Sequence, residues 1–312
     1  MRATLDLDDA IPTEPTAKHS ASLGCPADVA RPFPARLADK QHESVGFPRP
    51  GAGGAVPRHA RVTCPRPTAA PTMPDQDAQE FAPGLYIRGF TPPLRLDDYR
   101  LIAFDMDSTL INIECVDEIA ALVGRRNEVA AITEAVMRGE IADYKDSLRR
   151  RVALLAGVQE GVLQQVYEQR LRLNPGVETF VAACRSAGLK TLLISGGFTF
   201  FSERIRHRLQ LDFARANTLG TFNGRLTGTV FDRPWGDIVD GSEKRRVLLE
   251  VVELMGIETA QAIAVGDGAN DLPMMAAAGL SIAYHPKPAV REQAMISIDS
   301  GGMDRALEVL EG

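Results

Sequence analysis

Two aspartates separated by one residue, Asp105 and Asp107, follow a short apolar run in LIAFDMDSTL, with Ser108 and Thr109 in the turn beyond. A second acidic turn closes AIAVGDGAND, where Asp267, Asn270 and Asp271 follow another apolar run. A third turn lies in TLLISGGFTFF. There Ser195 supplies a hydroxyl, and Gly196 and Gly197 supply unobstructed backbone N–H groups at a helix start, a cradle of the kind anions occupy. Lys244, in GDIVDGSEKRR, could offset the charge of a transferring group held nearby. Carboxylates converging on one place repel one another without a cation, and an all-oxygen donor set suits Mg2+ shared with waters and a substrate phosphate. Surface aspartates that cap helices would explain one such turn but hardly two in glycine-flanked contexts. Taken alone, Ser-Gly-Gly reads equally well as a plain helix entry.

The elements that must position these residues are short. LIAF (101–104), TLLI (191–194), AIAV (262–265) and SIAY (281–284) are four-residue apolar runs bounded by polar or glycine-rich turns, as buried strands of a parallel sheet would be. Segments 201–210 and 243–255 read as helices between them, which predicts an α/β fold with crossovers. Ligand sites in such sheets lie beyond the carboxyl ends of the strands, where all three turns fall. Between the first two strands lie 86 residues with helical patterns at 116–123, 126–138, 144–155 and 160–170, far more than one crossover needs. The stretch from about 115 to 172 is therefore expected to be an inserted helical unit. TFNGRLTGTV alternates about Asn223-Gly224, a strong hairpin signal.

The chain of 312 residues is 45% hydrophobic and 24% charged, enough apolar material for a packed core. Its 35 basic and 41 acidic residues leave a net charge of −6, without the basic footprint of a nucleic-acid binder. No uncharged apolar run reaches the roughly 20 residues of a membrane helix. The cysteines Cys25, Cys64, Cys115 and Cys184 have no CxxC spacing, which argues against a disulfide framework or a zinc site. Eleven of the 20 prolines fall within residues 1–72, a stretch without apolar periodicity that is expected to be disordered. Its acidic start lacks the apolar segment of a secretory signal, and Met73 is a candidate start of the functional protein. Cys115 reads as a small core residue and His285 as structural, while Trp235, in FDRPWG, carries no assignment.

In this order, DMDST, SGG, a lysine and GDGAND resemble the motif set of the haloacid dehalogenase superfamily of phosphotransferases. Within it, FDMDSTLINIECVDEIA, MRGE, SLRRRVALL, ISGGFTFF and AVGDGANDLPMM are similar to the phosphoserine phosphatases, over about residues 98–300. The resemblance implies a Rossmann-like α/β core (about 98–114 and 173–312) with a parallel sheet, and a helical cap (about 115–172) inserted after the first motif strand. This phosphatase domain, 81–312, would follow a disordered Pro/Ala-rich extension, 1–80. That extension lacks the strand–helix pattern of the regulatory domain some phosphoserine phosphatases carry.

The resemblance further implies a Mg2+-dependent hydrolase that converts O-phospho-L-serine to L-serine and phosphate, the last step of serine synthesis in the related enzymes. Asp105 would be the nucleophile that becomes an aspartyl-phosphate, and Asp107 the general acid and base. The carboxylates of Asp105 and Asp267 and the backbone carbonyl of Asp107 would hold the metal. Ser195, the Gly196 N–H and Lys244 would hold the phosphoryl oxygens, with Asn270 helping and Asp271 orienting Lys244 or a metal-bound water. Glu114 would receive the substrate ammonium and Arg151 its carboxylate, with Met137 and Tyr144 as apolar walls. From the residues alone, Glu114 could equally cap a helix, and any of Arg149, Arg150 and Arg151 could face a pocket or solvent.

The runner-up is a phosphatase or phosphotransferase of the same fold acting on another small phosphorylated metabolite. A signalling receiver shares the phosphorylated Asp, hydroxyl, lysine and Mg2+, but needs neither Asp107 nor the helical insert. A non-catalytic binding module would not need all of Asp105, Asp107, Lys244 and Asp267. The expected setting is a cytoplasmic monomer or homodimer with a small-molecule substrate and no nucleic-acid or membrane partner.

Overall fold

A computed structural model of the protein describes residues 77–312 except 139, 142 and 232–237, with only the backbone of Met137. The Pro-rich stretch, Trp235 and the Met137 side chain therefore lie outside the described residues.

The chain opens with strands β1 (Gln79–Ala82), β2 (Leu85–Ile87), β3 (Leu94–Arg95) and β4 (Leu101–Phe104). Four helices follow, α1 (Cys115–Leu122), α2 (Arg126–Met137), α3 (Tyr144–Ala153) and α4 (Gly161–Gln169), and then α5 (Val177–Ser186) leads into β5 (Lys190–Phe198) and α6 (Thr199–Leu209). Next come β6 (Phe213–Asn217), the pair β7 (Leu219–Phe222) and β8 (Arg225–Val230), and α7 (Gly241–Met255). The remainder holds β9 (Ala262–Gly266), α8 (Leu272–Met275), β10 (Leu280–Tyr284), α9 (Pro288–Arg291), β11 (Ile296–Ile298) and β12 (Leu310–Glu311).

Eight strands form one sheet in the order β1-β2-β11-β10-β9-β4-β5-β6. The six from β11 to β6 are parallel, and β2 and β1 close one edge antiparallel. The expected α/β architecture with a parallel sheet is what the chain forms. From β4 the chain runs to β5 and β6 on one side and returns to β9, β10 and β11 on the other, so the order reverses at β4, the place where such sheets bind ligands.

The four apolar runs are strands because both faces of the sheet are covered. Successive residues of β4 belong to different clusters: Ile102 and Phe104 pack with α1, α5 and α6, and Leu101 and Ala103 pack with α7 and α8. That is the period of two expected of a strand. The second face is lined by small side chains, Ala103, Ala262, Ala264 and Ala283, which let helices approach closely.

Helices α1–α4 occupy the predicted insert between β4 and the α5–β5 unit. The Asn223-Gly224 hairpin forms as β7 and β8. Its location differs from the expectation that it belongs to the core. Gly157 N donates to Leu226 O (2.8 Å), Leu226 N to Val158 O (2.8 Å) and Glu160 N to Gly224 O (2.9 Å), so the hairpin is stitched by backbone bonds to the helical insert. The fold also begins slightly before residue 81, because Gln79 and Glu80 already pair with Ile87 and Tyr86.

Candidate active site

Strand register brings the three turns together. Phe104 pairs with Leu193 on one side and Val265 on the other, and Asp105 N donates to Val265 O at 2.9 Å. Asp105 and Asp267, just past the ends of β4 and β9, and Ser195, within β5, thus lie on adjacent strands at neighbouring levels. Asp105, Asp267 and Asp271 are all buried, with carboxylate oxygens within 4.8 Å of one another.

Lys244, in the first turn of α7, is fully buried between two of these acids, with Nζ 2.5 Å from Asp105 Oδ1 and 2.6 Å from Asp271 Oδ1. Burial works against its charge, but Asp105 and Asp271 together hold its pKa well above the ordinary lysine range. Asp271 Oδ2 accepts from the backbone N–H groups of Asp267 (3.2 Å) and Gly268 (3.1 Å), so both its oxygens are occupied. Asp271 is a buttress for Lys244 and for the turn, which agrees with the orienting role expected of it.

Burial lifts the Asp105 carboxyl well above its usual range, with Asp271 and Asp267 pushing the same way against the pull of Lys244. Asp267 is also raised, by burial against the pull of Lys287, whose Nζ lies 3.4 Å from Asp267 Oδ2. The cluster is short of positive charge, and its donors are oxygens. These residues therefore fit a hard divalent cation, with Asp105 and Asp267 as the carboxylates of the cluster that line the cavity described below.

Asp107 immediately precedes Ser108, which adopts a positive φ of 59° in a tight turn. Cys115, the first residue of α1, donates to both Asp107 oxygens, from its backbone N (3.1 Å) and its thiol (3.2 Å). Burial and the nearby Glu114 raise Asp107 to about 7 against these donors. A carboxyl of that kind can both give and take a proton near neutrality.

Ser195 is fully buried, and its Oγ accepts from Gly197 N at 2.9 Å, which folds the SGG backbone into a turn. Asn217 at the end of β6, unforeseen from the sequence, anchors that turn. Its Nδ2 donates to Gly196 O (2.8 Å) and its Oδ1 accepts from Val239 N (3.0 Å). A β-carbon at Gly196 would collide with the Tyr144 hydroxyl, so glycine there permits the insert to rest on the turn.

These groups open into a cavity of about 900 Å3 between core and insert. Asp105, Asp107, Glu114, Arg151, Ser195, Gly196, Asp267 and Asn270 all line it, as does Tyr144. Lys244 does not; it lies behind Asp105 as a counter-ion instead of facing the cavity. Glu114 precedes α1 but makes no side-chain capping bond; its Oε1 accepts from Ser108 Oγ at 2.9 Å. Of the three arginines, Arg151 lines the cavity, whereas Arg149 and Arg150 are exposed and Arg150 pairs with Asp146 at 2.9 Å. Asp117 and Lys287 also line the cavity and were not singled out from the sequence.

Known proteins share this arrangement. A family model described as haloacid dehalogenase-like hydrolase matches residues 99–279. The phosphoserine phosphatase of Albidiferax ferrireducens is 65% identical over 231 residues, which cover 74% of this chain and 98% of that protein. The phosphoserine phosphatase of Haemophilus influenzae is 45% identical over 221 residues, 71% of this chain and 68% of that one. A solved phosphoserine phosphatase described as a phospho-aspartyl intermediate analogue superposes with a TM-score of 0.63 at 35% identity, covering 68% of this chain and 99% of that chain. A probable phosphoserine phosphatase from Vibrio cholerae gives 0.62 at 42% identity, covering 72% and 67%. A switch-point carboxylate cluster under a helical insert, a family model over residues 99–279 and a relative 65% identical across 98% of its length place the chain among the haloacid dehalogenase-like hydrolases, as a member of the phosphoserine phosphatase family.

Proposed function

We propose that the protein hydrolyses O-phospho-L-serine to L-serine and phosphate, with Asp105 as nucleophile. The observation that carries this reading is one cavity bearing both a buried carboxylate cluster fit for a cation and, on the insert, an acid and an arginine suited to an amino acid.

Asp105 attacks phosphorus, the ester oxygen leaves, and an aspartyl-phosphate forms, which splits one difficult displacement into two easier ones. Asp107, held by both Cys115 donors, gives its proton to the departing serine oxygen and then takes one from the attacking water. The Ser195 hydroxyl and the Gly196 N–H cradle the phosphoryl oxygens, and Asn270, also on the cavity wall, helps position them. Lys244 acts from behind, holding Asp105 in one orientation and leaving its outer oxygen free for phosphorus.

The carboxylates of Asp105 and Asp267 and the backbone carbonyl of Asp107 would hold Mg2+, which supplies charge neutralisation for the phosphoryl oxygens. Glu114 receives the ammonium and Arg151 the carboxylate of the substrate. Among the described residues no helix is long and apolar enough to cross a membrane. A small polar substrate of this kind suits a cytoplasmic enzyme acting as a monomer or homodimer.

The test is phosphate release from L- and D-phosphoserine, phosphothreonine and other phosphomonoesters, with and without Mg2+. A Mg2+-dependent preference for L-phosphoserine is expected; a broad preference would keep the phosphatase and remove the serine assignment. Asp105→Asn should abolish turnover and block trapping by beryllium fluoride, and wild-type turnover in that variant would overturn the mechanism.

A further inference from the structure

Two buried polar atoms of residues lining the cavity have no hydrogen-bond partner: Asp117 Oδ1 and Arg151 Nε. Among the other described residues, Ser202, Arg215 and Asp299 each carry such an atom, and none of them lines the cavity. A buried acceptor or donor left unmade is costly, so a fold keeps one where a ligand completes it. Here one orphan is an anionic acceptor and the other a cationic donor. An ammonium and a carboxylate carried on one carbon would complete both.

Asp117 follows Glu114 by three residues and lies on the same face of α1. Glu114 cannot serve an ammonium with both oxygens freely, because Ser108 already donates to its Oε1. An acid in the first turn of a helix is common for its favourable interaction with the helix dipole. Such a role would not place Asp117 on the cavity wall with an unpartnered oxygen. Arg151, on α3, is the cation that most draws the Asp117 carboxyl toward ionisation against the effect of burial.

We propose that Asp117 is a further specificity-determining residue, sharing with Glu114 the recognition of the substrate's ammonium while Arg151 takes the carboxylate. The inference rests on the amino-acid substrate reading above and adds a second carboxylate to it.

Three esters separate the contributions. Phosphoserine carries both head groups, phosphoethanolamine only the ammonium, and 3-phosphoglycerate the carboxylate with a hydroxyl in place of the ammonium. We would measure kcat/KM for each with the wild-type protein and Asp117→Asn, using the Ki against phosphoserine where turnover is too slow. The expected result is a loss of about tenfold for phosphoserine and phosphoethanolamine, with 3-phosphoglycerate unchanged or improved. The unchanged ester also shows that the variant is folded.

A loss confined to phosphoserine and 3-phosphoglycerate would overturn the proposal and make Asp117 a positioning residue for Arg151. Equal loss on all three would overturn it in favour of a structural role, and Asp117→Glu, which keeps the charge, should restore the ammonium preference only if the proposal holds. A wild-type protein that does not favour phosphoserine over 3-phosphoglycerate would remove the substrate reading and this inference together, before any variant is compared.

Discussion

Lys244 carries its charge where no water reaches it, held by Asp105 on one side and Asp271 on the other. Removing one partner of such a buried set leaves the others uncompensated. Lys244→Met should therefore destabilise the fold by about 3–5 kcal/mol in urea unfolding, beyond any effect on turnover. Replacing Asp271 by Asn in the same chain should recover part of that loss, since one fewer buried charge is left unpaired. The sequence places Lys244 in a helix and, through the resemblance, near the phosphate; only the packed structure puts it behind Asp105. The same limit applies to Asn217, which anchors the SGG turn through Gly196 O. An asparagine ending a half-polar strand, 21 residues from its partner, has no local pattern to expose it. Asp105, Asp107, Ser195 and Asp267 were legible because each falls within three residues of the end of an apolar run, so strand geometry carries them to one edge. Only the resemblance singled out Arg151 among three arginines; its helix phase puts it on the cavity wall, which the run of like residues conceals.

Among elements, one acid ties the start of β5 to the loop before β6, beside the parallel pairing of the two strands. Asp212 accepts from Lys190 Nζ (2.7 Å), Thr191 N (2.9 Å) and Thr191 Oγ1 (2.9 Å), closing the loop between α6 and β6. Partial burial works to raise its pKa, but these donors prevail and hold it below the usual aspartate value. A lowered carboxyl stabilises the fold above the unfolded value, near 4, and loses that contribution as the pH falls through the folded one. Asp212→Asn should cost about 1–3 kcal/mol at pH 7. The difference in Tm from wild type should shrink as the pH is taken below about 4. The strands that sequence patterning identified are the ones buried on both faces, such as β4 and β9. β6, FARAN, escaped because it is an edge strand with a polar, half-exposed pattern. β11 has only three residues, and β1 and β2 lie at the border of the Pro-rich stretch, where composition argued against order. The helices of the insert were legible in number and place, whereas the docking of the β7–β8 hairpin against them depends on backbone bonds that no side-chain pattern announces.

At the scale of the molecule, a cation that binds only the folded cluster must stabilise the whole fold. At a concentration 100 times its Kd it adds about 2.7 kcal/mol, which for a domain of this size corresponds to about 5–10 °C in Tm. Mg2+ should produce that shift in calorimetry, EDTA should abolish it, and Asp267→Asn should be unresponsive. The sheet order has a further consequence, in time. β4 lies at the centre of the sheet, yet one of its two neighbours, β9, is made much later, and 139 residues separate Asp105 from Lys244. At a synthesis rate of roughly 5–20 residues per second, the nascent chain holds Asp105 without its counter-ion, and its central strand with one open edge, for on the order of 10 s. The enzyme thus passes through an obligatory interval on the ribosome in which the future catalytic strand is an adhesive edge, and its chemistry appears all at once when the last third of the chain arrives.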